Sequence, residues 1–319
     1  MLFRSTVESD LDRFLPLIVT DPAGLMTADL YKARLATGQY RLEWTWIAEG
    51  ACDGAPLAVA VWWGDPDGSR PGALDGVLVH HSVGSTADRT VIAAALLTAA
   101  HEYYAGAGAA VPPDYHLFLP GDWHDRPEVV ESVAWRQEAA KRAGLPVSLE
   151  RLRFEWTPQA ALPKPPRRLV LAPEPDDEVF VDLFRQVLAA TLDATSRKEA
   201  ERIGAQTQAR SDVAFYRDAM PGDRSWWRIA RTPGGEVVGF GLPSRNHNSP
   251  VVGYLGVLPQ HRGLGYVDEI LQEITRVLIS ETDAQHIHAD TDRANAPMAA
   301  AFRRAGYRDA ECRLVLSAH

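Results

Sequence analysis

At 319 residues the chain is long for one hydrophobic core, so two domains are expected. Apolar residues at 46% and charged residues at 24% are ordinary for a globular protein, and a net charge of -9 with no basic run longer than a pair excludes a nucleic-acid binder. No 18-residue stretch is free of charges and no apolar leader follows a basic start, which predicts a cytoplasmic protein with no membrane partner. The two cysteines, Cys52 and Cys312, lie in opposite halves with no second ligand pair, which fits a reducing compartment and excludes a cysteine zinc site.

Along the chain, the first half ends at a proline-rich segment, TPQAALPKPPRRLVLAPEPDDE (157–178), whose short apolar run Leu169 to Leu171 predicts a strand opening a new domain. The expected division is 1–157, a linker 158–168 that holds Arg167 and Arg168, and 169–319. The two halves show local parallels. FRSTVESDLDRFLPLIV answers VLAPEPDDEVFVDLFRQVL, GVLVHH (76–81) answers GVLPQH (256–261), and WRQEAAKRAGL (135–145) answers AAAFRRAGYRD (299–309). In the first half, Trp44, Trp46, Trp62 and Trp63 are read as packing residues and GDWHD (121–125) as a polar loop.

In the second half SRKEAERIG (196–204) carries a capping-box pattern, Ser196 with Glu199, and reads as a solvated helix face. Strands are expected at Ser225–Ile229 and Val237–Leu242, joined by the Pro233-Gly234-Gly235 turn. A polar turn covers Pro243–Pro250 and a strand Val251–Leu258. The next helix is marked by apolar residues at Val267, Ile270, Leu271, Ile274, Val277 and Leu278, three and four apart. A strand at His286–Thr291 and a helix at Ala296–Ala305 stopped by Gly306 complete the pattern.

The stretch GVLPQHRGLGYVDEIL (256–271) places glycines where a strand gives way to a helix, whose first N–H groups are unpaired and electropositive. That is an anion cradle. A dinucleotide fingerprint would need glycine at Asp268, and a triphosphate loop would need Gly-Lys-Ser/Thr where Gly265-Tyr266-Val267 stands, so both fail. The stretch resembles the acyl-CoA loop of the GCN5-related N-acetyltransferases (GNAT), VxPxxRGxGxG/A, through Val257, Pro259, Arg262, Gly263 and Gly265, with Val267 at the final Gly/Ala position. A second resemblance follows in NAPMAAAFRRAGY (295–307), where Asn295, Gly306 and Tyr307 keep the family's later motif and Phe302 replaces its tyrosine.

The resemblance implies a mixed α/β fold of two tandem GNAT-like domains, each a mostly antiparallel sheet flanked by helices. It implies acetyl-CoA as co-substrate with no metal, held by the N–H groups of Arg262, Gly263, Leu264, Gly265, Tyr266 and Val267, with Asn295 and Phe302 beside it. Asp268 and Glu269 would repel a phosphate and are expected to point away. The Val257 N–H is implied as the donor to the oxyanion formed during attack, and Gly253 and Gly256 would permit the bulge that turns it toward a ligand. In the family the tyrosine replaced by Phe302 protonates the departing thiolate. A thiol leaves tolerably as an anion, so that loss weakens the case without ending it.

An attacking amine needs a base, and alternation puts His286, His288, Asp290 and Asp292 on one side of their strand. Asp290 is the first choice and His288 or a water relay the second, with helix capping or turn formation by Asp290 and Asp292 the competing reading. The first-half counterpart, HHSVGSTADRT (80–90), has one glycine and no Arg-Gly, and reads as a degenerate copy without the coenzyme grip. The expected activity is acetyl transfer to a primary amine of a small molecule by direct attack, in a monomer or homodimer. The alternatives are a non-catalytic acyl-CoA sensor and a tandem transferase of the mycothiol synthase type. Acceptor choice is assigned to the first helices of the second half, about Phe184 to Ala219.

Overall fold

A computed structural model describes residues 1–319 except 20, 25, 52, 53, 221, 247 and 248. Cys52 therefore lies outside the described residues. Two compact units form, Met1–Glu150 together with Glu311–His319, and Arg151–Ala310.

The first unit runs β1 (Leu2–Ser5), α1 (Leu11–Phe14), α2 (Ala28–Ala36), β2 (Tyr40–Glu49), β3 (Pro56–Trp63), β4 (Ala73–Val79), α3 (Thr86–Gly106), β5 (Asp114–Pro120) and α4 (Pro127–Arg142). Strands β1 to β4 pair antiparallel in sequence order, and β4 pairs parallel with β5. Trp44, Trp46 and Trp62 are buried in the core of this unit, where Tyr104 meets Trp46 and Trp62 edge-on. The 121–125 segment is not the wholly polar loop its composition suggests. Trp123 is buried and donates its indole N–H to Glu150 at 3.1 Å, because a short helical turn aims it inward.

From β6 (Val147–Trp156) the chain enters the second unit: β7 (Val170–Pro173), α5 (Asp177–Leu188), α6 (Ala194–Ile203), α7 (Ala205–Ala214), β8 (Arg228–Arg231), β9 (Val237–Arg245), β10 (Pro250–Val257), α8 (Tyr266–Thr282), β11 (Ile287–Asp292) and α9 (Ala296–Arg304); β12 (Arg308–Ser317) then returns past Ala310 to the first unit. Strands β7 to β10 again pair antiparallel in order and β10 pairs parallel with β11, so each unit repeats one topology. The closing strands are exchanged. Within the second unit β11 pairs with residues 151–156 of β6, and within the first unit β5 pairs with residues 311–316 of β12.

Three local expectations change. Ser225 and Trp226 lie in a 3-10 turn and the strand begins at Arg228, because Asp223 caps that turn through the Ser225 N–H. Strand β9 runs past Pro243 to Arg245, narrowing the polar turn. Helix α6 starts at Ala194, capped by Asp193 accepting from the Ser196 N–H, so Ser196 is inside the helix and not its cap. No helix among the described residues is long and apolar enough to cross a membrane.

Candidate functional site

Among the described residues, strands β10 and β11 pair at Val251 opposite His288 and then diverge, β10 running on to Val257 and β11 to Asp292. The register of β10 against β9 shifts at Gly253, a bulge that places Tyr254 opposite Leu242. A Cβ on Gly253 would sit 2.8 Å from the Leu242 carbonyl oxygen and 3.3 Å from the Tyr216 ring, so only glycine fits the turn of the strand there. Beyond the bulge, Leu258 N–H donates to the Val238 carbonyl at 2.9 Å. Antiparallel alternation then points the N–H of Val257, opposite Gly239, away from β9 and into the gap that β11 has left.

The chain leaves β10 through a 3-10 turn, Pro259–His261, and enters α8 through Gly263 (φ +78°) and Gly265 (φ +75°). Both angles are in the left-handed region, where a side chain costs about 1–2 kcal/mol. A Cβ at Gly263 would meet nothing within 4 Å, so its glycine answers a backbone need and not crowding. Among the described residues, the N–H groups of Gly263, Leu264, Gly265, Tyr266 and Val267 have no hydrogen-bond acceptor, and Gly265 caps the helix without a side chain. Five donors at the electropositive end of a 17-residue helix suit a diphosphate.

The acids of this first turn are drawn off. Asp268 pairs with Arg304 at 2.7 Å, and Glu269 accepts from Arg168 Nε at 2.6 Å and from the Arg167 and Arg168 N–H groups at 2.8 and 2.9 Å. The guanidinium of Arg168 also donates to the carbonyls of Leu264 (2.8 Å) and Gly265 (3.0 Å) and lies over the Tyr266 ring. It thus ties down the carbonyl side of the loop and leaves the N–H side free. Arg262 Nε donates to the Val257 carbonyl at 3.2 Å and Nη1 to the Ala190 carbonyl at 2.5 Å, fixing the end of β10 against the end of α5.

The polar face of β11 does carry His288, Asp290 and Asp292 together, since Ile287, Ala289 and Thr291 alternate with them inward. Each is matched across the ladder on β6: Asp292 with Arg151 at 3.3 Å, Asp290 with Arg153 at 3.3 Å, and His288 with Glu155 at 3.5 Å. His288 Nδ1 further meets Ser249 Oγ at 2.8 Å, and burial lowers its pKa. Asp292 accepts from the Ala194 N–H at 2.7 Å and holds the start of α6, while burial raises its pKa. His286 is exposed beside Glu155 at 2.7 Å.

Asn295 caps α9, accepting from the Met298 N–H at 3.4 Å. Phe302 is 2% exposed and stacked on Phe154 at 5.0 Å, in the core of the unit. In the first unit the counterpart turn is capped internally: Ser85 Oγ accepts from the Asp88 N–H at 3.0 Å and donates to the Asp88 carboxylate at 2.6 Å. A carboxylate occupies the helix tip that a phosphate would need.

The sequence pattern does not single out α7. Its Asp212 has Oδ1 accepting from Gln208 at 2.8 Å, while Oδ2 is buried without a partner. Burial, with the nearby charge of Asp193 adding to it, raises the Asp212 pKa from 3.8 to about 6. Tyr216, one turn on, and Tyr254 of β10 have ring centroids 6.1 Å apart, and burial raises both phenols with Asp212 and Asp193 adding to the effect. No local motif marks Asp212; the only signal is an acid at helical spacing from a tyrosine.

Residues 168–308 match the family model described as an acetyltransferase (GNAT) domain. A GCN5-related N-acetyltransferase from Sphaerobacter thermophilus aligns over 98% of this chain and 94% of its own, at 16% identity and a TM-score of 0.57. A tandem GNAT protein from the clavulanic acid biosynthesis pathway aligns over 100% and 98%, at 13% identity and TM-score 0.50. A glucosamine N-acetyltransferase region of a fungal multi-domain β-N-acetylglucosaminidase aligns over 98% of this chain and 38% of that one, at 13% identity and TM-score 0.53. At these identities the structures are alike in fold. No curated protein matches the sequence. Over residues 168–308, less than half of the chain, the match is to a GNAT acetyltransferase domain, and over its whole length the chain shares its fold with these structures.

Proposed function

We propose that the second unit takes acetyl-CoA and passes its acetyl group directly to a primary amine of a small molecule, in the cytoplasm. The observation that carries this reading is the run of five acceptor-free N–H groups from Gly263 to Val267 at the tip of α8, beside a Val257 N–H turned into the gap between β10 and β11. Bound acetyl-CoA supplies an activated thioester. The loop amides, with that of Arg262, hold its diphosphate, and Arg168 keeps the loop carbonyls from facing that charge. The Val257 N–H lies where a donor would stabilise charge developing on the acetyl oxygen. Val267 contributes its N–H as any residue does, and its side chain packs on the core of the unit. Asn295 and Phe302 shape the site from behind, one by starting α9 and the other by filling the core.

With Asp290 and His288 both matched across the ladder, their part is to set the field of the face on which the acceptor lies. The first unit is read as a copy without a coenzyme grip, in keeping with its Ser85–Asp88 cap. Thiol release from acetyl-CoA over a panel of amines tests the reading. Release with at least one amine, together with a product heavier by one acetyl group, supports it, and acetyl-CoA binding without release to any amine favours a sensor.

A further inference from the structure

Resting on that reading, we propose that Asp212 is the acceptor-facing catalytic carboxylate of the second unit, the group that receives the ammonium of the substrate and takes its proton. The placement carries the argument. Strand alternation sets Tyr254, beside the Gly253 bulge, on the same side of the sheet as Phe184 of α5, whose ring it meets at 4.5 Å. Asp292 of β11 faces that side too, since it holds the first N–H of α6. On this same side α7 brings Asp212, with the following Tyr216, close to Tyr254 of the diverging strand β10.

The charged groups around α7 are otherwise matched. Glu178 and Asp177 of α5 pair with Arg210 (2.5 Å) and Arg217 (2.8 Å), Asp193 ahead of α6 with Arg151 (3.4 Å), and Glu199 of α6 with Arg202 (2.6 Å). Arg151 also serves Asp292, and Arg197 of α6 acts on Asp292. Asp292 Oδ1 also lacks a hydrogen bond but lies 3.3 Å from Arg151, whereas the buried Asp212 Oδ2 has neither a donor nor a cation among the described residues, which costs the fold and is explained by a cationic ligand that completes it. Asp193 adds negative charge beside Asp212, and the neighbouring rings of Tyr216 and Tyr254 offer aromatic faces to a positively charged nitrogen.

The step balances as follows. The ammonium gives one proton to the Asp212 carboxylate, and the freed amine lone pair forms the C–N bond to the acetyl carbon as the C–S bond breaks. The nitrogen then loses its second proton to the departing thiolate, and Asp212 releases its proton to water. A carboxylate poised near neutrality is suited to that exchange, and its loss costs about 100-fold or more.

The test uses the full chain and Asp212→Asn, with putrescine, glucosamine, lysine methyl ester and tyramine as acceptors. Asp212→Ser replaces it should the amide lower the melting temperature. The expected result is a kcat/KM at least about 100-fold lower, loss of the acid limb near pH 6, and acetyl-CoA affinity within about 2-fold of the parent. Calorimetry without acetyl-CoA should show the accepted amine binding at least about 10-fold more weakly. Parent-like turnover with the acid limb intact overturns the assignment while leaving amine transfer standing. A parent that binds acetyl-CoA and acetylates none of the four overturns the amine reading and this assignment with it.

Discussion

Replacing Asp212 by asparagine has a consequence for stability that does not depend on any acceptor. In the folded unit its carboxyl is raised from 3.8 to about 6, chiefly by burial, with Asp193 adding to the effect. Between about pH 4 and pH 6 the folded protein therefore keeps a proton that the unfolded chain has lost, and stability declines as pH rises through that window. At about 1.4 kcal/mol per pH unit the decline is about 3 kcal/mol, fully developed above pH 6. The amide that replaces the carboxyl has no such titration. The assay is urea unfolding of parent and variant at pH 4.5, 6 and 7.5, followed by fluorescence of the Trp227 and Trp226 region. The difference between the two proteins at each pH is compared, so that the amide's own contacts cancel. The variant should gain about 2 kcal/mol on the parent between pH 4.5 and pH 7.5, the rest of the decline lying below pH 4.5. A difference independent of pH would refute the claim that this carboxylate is held against its own ionisation.

Two other substitutions separate the loop from the core. Arg168→Ala removes the ties to the Leu264 and Gly265 carbonyls and to Glu269 and should weaken acetyl-CoA binding about 10-fold by calorimetry. Because Arg168 is half exposed, urea unfolding should change by less than about 1 kcal/mol. Phe302→Ala empties a site stacked on Phe154 and should cost about 3–5 kcal/mol of stability in the same assay, which a residue needed only at the coenzyme would not.

The parts of the site that are legible in the sequence are those written locally. Gly263 and Gly265 stand where the backbone turns left-handed, and the three-and-four spacing after them marks α8, so loop and helix can be read together. Arg168 reads as linker because its partners lie 96 and 97 residues on, beyond any local pattern. Alternation places the row on β11 correctly on one face, yet its partners Arg151, Arg153 and Glu155 belong to a strand from the first half of the sequence, so the pairing that occupies Asp290 and His288 stays hidden. The exchange of β6 and β12 is invisible for a like reason. Both are ten-residue strands with alternating apolar positions, and nothing in such a pattern names the neighbour. Asp212 escapes notice because a lone acid in a polar helix reads as solvated until the tertiary fold buries one of its oxygens.

The central claim is that the amides opening α8 hold a diphosphate. Amide proton–nitrogen spectra of the protein titrated with coenzyme A, and in parallel with pantetheine, which lacks the diphosphate, test it most directly. Coenzyme A should displace the resonances of Gly263, Leu264, Gly265, Tyr266 and Val267 together, and pantetheine should leave them in place. Equal displacement by both ligands, or displacement confined to residues 80–90 of the first unit, would contradict it.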